Sequence, residues 1–157
     1  VYGDFGGTFS GRMIAGMMDS SVILATTTWA LTTTSANGVF FDAFKGTNSN
    51  NWRVHAVRAG VVTTYNTSIS AVANSLQNLD LRFDGTDCYC YINGQMIKKF
   101  VASEIPAISS PLNIRVEGGR LVDGGTFSGF HPCLKGLSFR SRAAQNVNVY
   151  RYFPQGT

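Results

Sequence analysis

The chain has 157 residues, enough for one domain that buries roughly 68–70% of the surface its unfolded form exposes, so a two-layer core needs no staple. Hydrophobic residues make up 44% and charged residues only 14%, while 17 glycines and many Thr, Ser and Asn supply turns and polar strand faces, which is an all-β composition. The net charge of +4 comes from 13 Lys and Arg spread along the chain; without a block of about five or six basic residues, or a run of about 18 apolar ones, neither nucleic-acid binding nor membrane insertion is expected.

The N-terminal Val1-Tyr2-Gly3-Asp4 has no initiator Met and no basic-then-apolar signal peptide, which reads as a chain processed or cut from something longer. Alternating apolar positions over residues 8–18 predict a first long strand. A Thr-rich connection, 19–37, follows and has the weakest pattern. The apolar run 38–44, bounded by Asn37-Gly38 and Lys45-Gly46, predicts a buried strand. In 50–58, Trp52, Val54 and Ala56 share one face and Arg53, His55 and Val57 the other, and Gly60 turns the chain into a strand over 61–67. Residues 68–75 are small and polar and read as a loop.

Residues 77–101 form the strongest local signal, a three-stranded meander with turns at Asp84-Gly85 and Asn93-Gly94. Leu79, Leu81 and Phe83 alternate with Asp80, Arg82 and Asp84, the period-2 mark of one buried and one wet face. The next strand buries either Cys88, Cys90 and Ile92 or Tyr89 and Tyr91. Ile105-Pro106 ends the meander, and Pro111 precedes a strand over 112–116, because proline is tolerated where a strand begins. Residues 118–132 are Gly-rich and loop-like, and two closing strands fall near 134–140 and 147–153. About ten short strands without a helical period imply a β-sandwich or barrel.

Gly38-Val39-Phe40-Phe41, Asn51-Trp52 with Val54, Gly60, Thr63-Thr64, Leu79-Asp80-Leu81-Arg82-Phe83, Tyr91-Ile92-Asn93-Gly94-Gln95, Ile105-Pro106 and the closing Val149-Tyr150-Arg151-Tyr152-Phe153 occur in a telling order. Over roughly residues 9–153 this resembles the concanavalin A-like (laminin G-like) lectin/glucanase jelly rolls, particularly those of bacteriophage virion and tail-fibre proteins. The resemblance implies one domain over 1–157, a two-sheet antiparallel jelly-roll sandwich forming part of a longer chain. It further implies a virion-surface or extracellular location, a homo-oligomer, and other virion subunits or a host-surface glycan as partners. Fold alone does not choose between adhesion, structural and enzymatic members.

Glycosidase members carry Glu-x-Asp-x-Glu on a strand, and this chain has no such triplet. Its two glutamates, Glu104 and Glu117, are thirteen residues apart, whereas a retaining mechanism needs carboxyls about 5–5.5 Å apart. No catalytic residue is therefore expected, and Asp84 and Asp87 read as turn residues around Gly85-Thr86. Neither His55 nor His131 lies in a nucleophile motif. His131-Pro132-Cys133 supplies too few ligands for zinc, and Asp84, Asp87 and Asp123 show no dedicated calcium pattern, so neither metal nor cofactor is expected. The glycine pairs at 6–7, 118–119 and 124–125 form no phosphate loop. The odd cysteine count favours a reduced core, with Cys133 within reach of Cys88 or Cys90.

Sugar rings stack on exposed aromatic faces while polar neighbours bond their hydroxyls. With the cysteines inward, Tyr89 and Tyr91 share the outer face with Asp80 and Arg82, and these four residues form the candidate saccharide platform. The competing reading has the tyrosines covering a sheet or meeting a neighbouring subunit. Trp52 is expected in the core, and Trp29 is a candidate exposed anchor.

Overall fold

A computed structural model describes residues 10–24, 30–45, 51–71, 76–107, 110–121, 137–138 and 151–152. These form an all-β structure with no helix among them, and so none long and apolar enough to cross a membrane. The strands are β1 (Ser10–Met18), β2 (Ile23–Leu24), β3 (Leu31–Thr32), β4 (Gly38–Lys45), β5 (Asn51–Arg58), β6 (Val61–Ser70), β7 (Leu79–Phe83), β8 (Cys88–Ile92), β9 (Gln95–Phe100), β10 (Asn113–Leu121), β11 (Leu137–Ser138) and β12 (Arg151–Tyr152). One antiparallel sheet runs β10-β1-β4-β5-β6 and a second β7-β8-β9, with β2–β3 and β11–β12 as short separate pairs.

The two sheets enclose the main core. Val39, Phe41 and Ala43 alternate along β4 and Trp52, Val54 and Ala56 along β5, and these side chains join Met13 of β1 against Cys88, Cys90, Ile92 and Phe100 of the smaller sheet. Trp52 is fully buried, stands edge-on to Phe41 with ring centroids 6.4 Å apart, and donates its indole N–H to Gln77 Oε1 at 2.9 Å. That bond satisfies the one polar atom that would otherwise make a buried tryptophan costly.

The other face of the large sheet is also covered. Ile14, Met18, Phe40 and Val57 pack against Val22, Ala36 and Leu31 of the 19–37 connection. Burial of both faces explains why 38–44 reads as one continuous apolar run rather than an alternation. Asp19 closes the connection on itself: its carboxylate accepts the Ser21 N–H at 2.9 Å and the Asn37 N–H at 2.8 Å. Arg115 of β10 then pins it to the sheet by donating to the carbonyls of Asp19 and Val22 at 2.7 and 2.9 Å.

The 19–37 connection, which has the weakest sequence pattern, contains the β2–β3 pair, and two expectations need correcting. The 68–75 loop begins later, because β6 continues to Ser70: Thr67 is buried, with its hydroxyl donating to the Trp52 carbonyl at 2.7 Å, and Ile69 packs on the core. The 112–116 strand starts at Asn113 and runs on to Leu121, through Gly118 and Gly119, because β1 offers an unbroken ladder from Ser10 to Met18 and pairing outweighs the low strand preference of glycine. Of the closing strands, only 137–138 and 151–152 fall among the described residues.

The Asn93-Gly94 turn has both residues left-handed, with φ of 52° and 82°, as the type I′ geometry requires. Ala59-Gly60 makes a second such turn, with φ of 49° and 84°. Between β7 and β8 the chain needs four residues, and Asp84 organises them by accepting the N–H groups of Thr86 and Asp87, each at 2.8 Å.

Candidate functional site

The meander places all four platform residues on one face. The register pairs Asp80 with Tyr91 and Arg82 with Tyr89, and Cys88, Cys90 and Ile92 point inward, fully buried. The open choice between the two sets on β8 is thereby decided. Cys88 and Cys90 are free thiols; its hydrogen bond with Cys90, then burial, push the Cys88 thiol well above the usual range, so it stays protonated. Cys133 lies outside the described residues, as do Trp29, Asp123 and His131.

Each platform residue already has a partner. Arg82 donates through Nε to Asp80 Oδ2 at 2.8 Å, brings Nη2 to 2.7 Å from the same oxygen, and lies 4.3 Å above the Tyr91 ring. The Tyr89 hydroxyl donates to Asp84 Oδ2 at 3.1 Å, and Lys99 reaches over the Tyr89 ring at 5.4 Å while pairing with Asp87 at 2.6 Å. The bond to Asp80 raises the Arg82 pKa, and the bond to Asp87 raises that of Lys99; the backbone N–H groups of Asp87 and Thr86 lower that of Asp84. The result is two half-buried tyrosine rings, each topped by a cation. A ring-shaped ligand must stack on Arg82 or displace it from Tyr91, a cation–π contact worth only about 0.5–1 kcal/mol at an exposed position. Asp84 and Asp87, the candidate calcium ligands, spend their oxygens on their own turn, on Tyr89, on Lys99 and on the Ala102 N–H.

On the large sheet a second polar constellation appears that sequence reading missed. Asp42 of β4 has no exposed surface, and its carboxylate faces two guanidiniums and an imidazole. Arg12 of β1 binds it through two hydrogen bonds, Nε to Oδ1 at 2.8 Å and Nη2 to Oδ2 at 2.7 Å. His55 Nε2 lies 2.9 Å from Oδ2, and His55 Nδ1 lies 2.9 Å from the Thr64 hydroxyl. Arg53 Nη2 comes within 2.6 Å of Oδ2 but off the hydrogen-bonding direction, so it contributes charge rather than a directed bond. In the neutral imidazole this network assigns the proton to Nε2 and makes Nδ1 the acceptor for Thr64.

The order hydroxyl, imidazole, carboxylate is that of a nucleophilic triad. Here the same carboxylate takes both hydrogen bonds from Arg12 and lies against Arg53, so it is the hub of an ion cluster and not the partner of the imidazole alone. The signal in the sequence was Asp42 itself, a carboxylate inside the apolar run 38–44, since a buried acid requires cationic partners. Nothing local says which cations those are.

Burial alone would raise the Asp42 pKa, but the hydrogen bonds from His55 and Arg12, and their charges, outweigh it and hold the carboxyl at about 2, below its ordinary 3.8. A depressed pKa gives stability that is complete above the unfolded value and lost as pH falls through the folded one. Acid unfolding should therefore remove about 2 kcal/mol between roughly pH 4 and pH 2 in the native chain, and this loss should vanish in a variant lacking the Asp42 carboxyl. Denaturant midpoints measured across that range test it; an unchanged midpoint would mean that Asp42 is solvated.

No family model matches the chain, and no curated protein or solved structure matches it.

Proposed function

We propose that this chain is a non-catalytic jelly-roll module of a virion, displayed outward on a phage particle for attachment to a host-surface glycan or for decoration and assembly of the particle. The observation that carries the adhesion reading is the outer face of β7-β8-β9, where Tyr89 and Tyr91 lie side by side on β8, opposite Arg82 and Asp80 of β7. Rings flanked by one acid and one base suit a saccharide, whose C–H faces stack while its hydroxyls take both donors and acceptors. The jelly-roll reading draws support from connectivity: hairpins join β4-β5-β6 and β7-β8-β9, whereas β10 returns across the sandwich to pair with β1, a long return of the Greek-key kind. The virion assignment rests on the sequence resemblance.

The rival classes are a carbohydrate-binding lectin module of a secreted bacterial protein, which shares this face and differs only in its setting, and a divergent glycan-cleaving enzyme. Asp80 and Asp84 are four residues apart along extended chain, roughly 13 Å, beyond the roughly 5–9.5 Å that paired catalytic carboxyls require. Asp80 is also held by Arg82.

A glycan array probed with the intact chain is the test. The native protein should retain a defined set of glycans, and Tyr91→Ala should weaken that binding about tenfold, the loss of one stacking contact of about 1.5 kcal/mol. Retention of no glycan would leave decoration and assembly as the role of this face. Turnover of a polysaccharide that Asp80→Asn abolishes would overturn the non-catalytic reading.

A further inference from the structure

A cavity of about 310 Å³ lies between the β5–β6 turn and the chain that follows β9, lined by Arg58, Ala59, Val61, Thr63, Ser103 and Glu104. The register builds one wall. Arg58 pairs with Val61 and Ala56 with Thr63, so Val61 and Thr63 stand on the sheet face that carries Trp52, Val54 and Ala56. Two residues further along that face, Lys98 of β9 reaches over the Tyr65 ring at 5.9 Å and bridges the two sheets. The other wall is a turn over 101–105, in which the Val101 carbonyl accepts the N–H groups of Glu104 and Ile105 at 2.9 and 3.3 Å and Ile105 is anchored in the core.

The two charged residues of the cavity are held in place, but not by each other. Arg58 donates through Nη1 to the Ala102 carbonyl at 2.7 Å, and Glu104 Oε2 accepts the Val101 N–H at 2.9 Å. Among the described residues neither takes part in an ion pair. A guanidinium has five N–H donors and a carboxylate about four acceptor positions, so each keeps most of its hydrogen-bonding capacity. Thr63 and Ser103 add two hydroxyls, and Val61, 72% exposed, forms an apolar wall with Ala59.

We infer that this cavity binds a single N-acetylhexosamine ring. One cation and one anion leave the lining neutral as a whole, so a ligand of net charge gains at one and loses at the other. A neutral ligand with a separate donor and acceptor gains at both. An acetamido group has that form: its carbonyl accepts from Arg58, its N–H donates to Glu104, and its methyl lies on Val61 and Ala59. The ring hydroxyls meet Thr63 and Ser103, which both donate and accept. The volume is at the lower end of the roughly 300–1,000 Å³ of small-ligand pockets and suits one sugar residue rather than a chain. A zwitterionic amino acid also carries both charges but has nothing for the two hydroxyls. The cavity shares no residue with the tyrosine face, so binding at one does not require the other.

Titration of N-acetylglucosamine into the isotope-labelled intact chain, followed by amide NMR, tests this. Shifts should be confined to residues 58–63 and 101–105 and should saturate with a dissociation constant on the order of 1 mM. Glucose, which lacks the acetamido group, should bind at least about tenfold more weakly, and free alanine should move none of these amides. Arg58→Met should weaken N-acetylglucosamine binding at least about tenfold, through loss of a charged donor. Thr63→Val, close in shape, should weaken it at least about threefold and decides instead if Arg58→Met fails to fold. Tyr91→Ala should leave the affinity of the cavity unchanged. No shift at these residues up to about 50 mM sugar, equal binding of glucose, shifts produced by alanine, undiminished binding in the deciding variant, or a response lost in Tyr91→Ala would each overturn the proposal.

Discussion

Asp42→Ala is expected to destabilise the protein by about 3–5 kcal/mol, a loss comparable to half the total stability of many domains. The magnitude follows from what the substitution leaves behind. Arg12 is nearly buried, His55 is buried, and the Arg53 side chain is 31% exposed, so removing Asp42 takes away the counter-charge that Arg12 and Arg53 share. The two directed bonds from Arg12 and the one from His55 go at the same time. Asp42→Asn should recover little, because one of its two oxygens is replaced by a donor facing other donors. Arg53→Met should cost far less than Asp42→Ala, since Arg53 reaches water and makes no directed bond. Urea unfolding reads these differences as shifts of the midpoint at constant slope. A loss under about 1 kcal/mol for Asp42→Ala would mean that water screens the cluster, and the acid-unfolding expectation would fall with it.

The contrast between this cluster and the tyrosine face shows what a sequence makes legible. The meander could be read because its information is local. The alternation of Leu79 and Leu81 with Asp80 and Arg82 sets the faces of β7, while Phe83, expected on the buried face, is exposed at the strand's end, and Asn93-Gly94 sets the turn that joins β8 to β9. The neighbours Asp80, Arg82, Tyr89 and Tyr91 follow from a short hairpin register. Arg12 and Asp42, by contrast, are 30 residues apart and meet only because β1 inserts between β4 and β10. That insertion depends on tertiary packing, and no local period encodes it. The two-faced burial of β1 and β5, unlike that of β4, was hidden for the same reason, since the 19–37 connection that covers one face has a weak pattern and is held by single polar residues such as Asp19 and Arg115. Strand ends at Ser70 and Leu121 were likewise set by the partner strand rather than by the residues themselves.

Gly16→Ala is the second large effect expected, a loss of at least about 3 kcal/mol from one added methyl group. Gly16 lies opposite Phe40 in the β1–β4 ladder, and a Cβ built on it would stand 2.4 Å from the Val39 carbonyl oxygen and 2.5 Å from Phe40 Cα. Those are backbone atoms, so no rotamer change relieves the contact, and β1 must move away from β4. Movement there is costly because both faces of the pair are packed, Met13 with Phe41 on one and Ile14 with Phe40 on the other. It also shifts Arg12 against Asp42, so the ion cluster weakens together with the ladder. Gly94 is a useful contrast: nothing lies within 4 Å of its Cβ position, and its requirement is the positive φ of a turn, so Gly94→Ala should cost only about 1 kcal/mol. Shortening the aromatic side chain separates crowding by backbone from crowding by side chain. Phe40→Leu added to Gly16→Ala should restore none of the lost stability, because the Val39 oxygen and Phe40 Cα stay where they are. Recovery in the double variant, or a Gly16→Ala protein with a near-native urea midpoint, would show that β1 and β4 are spaced more widely than this register places them.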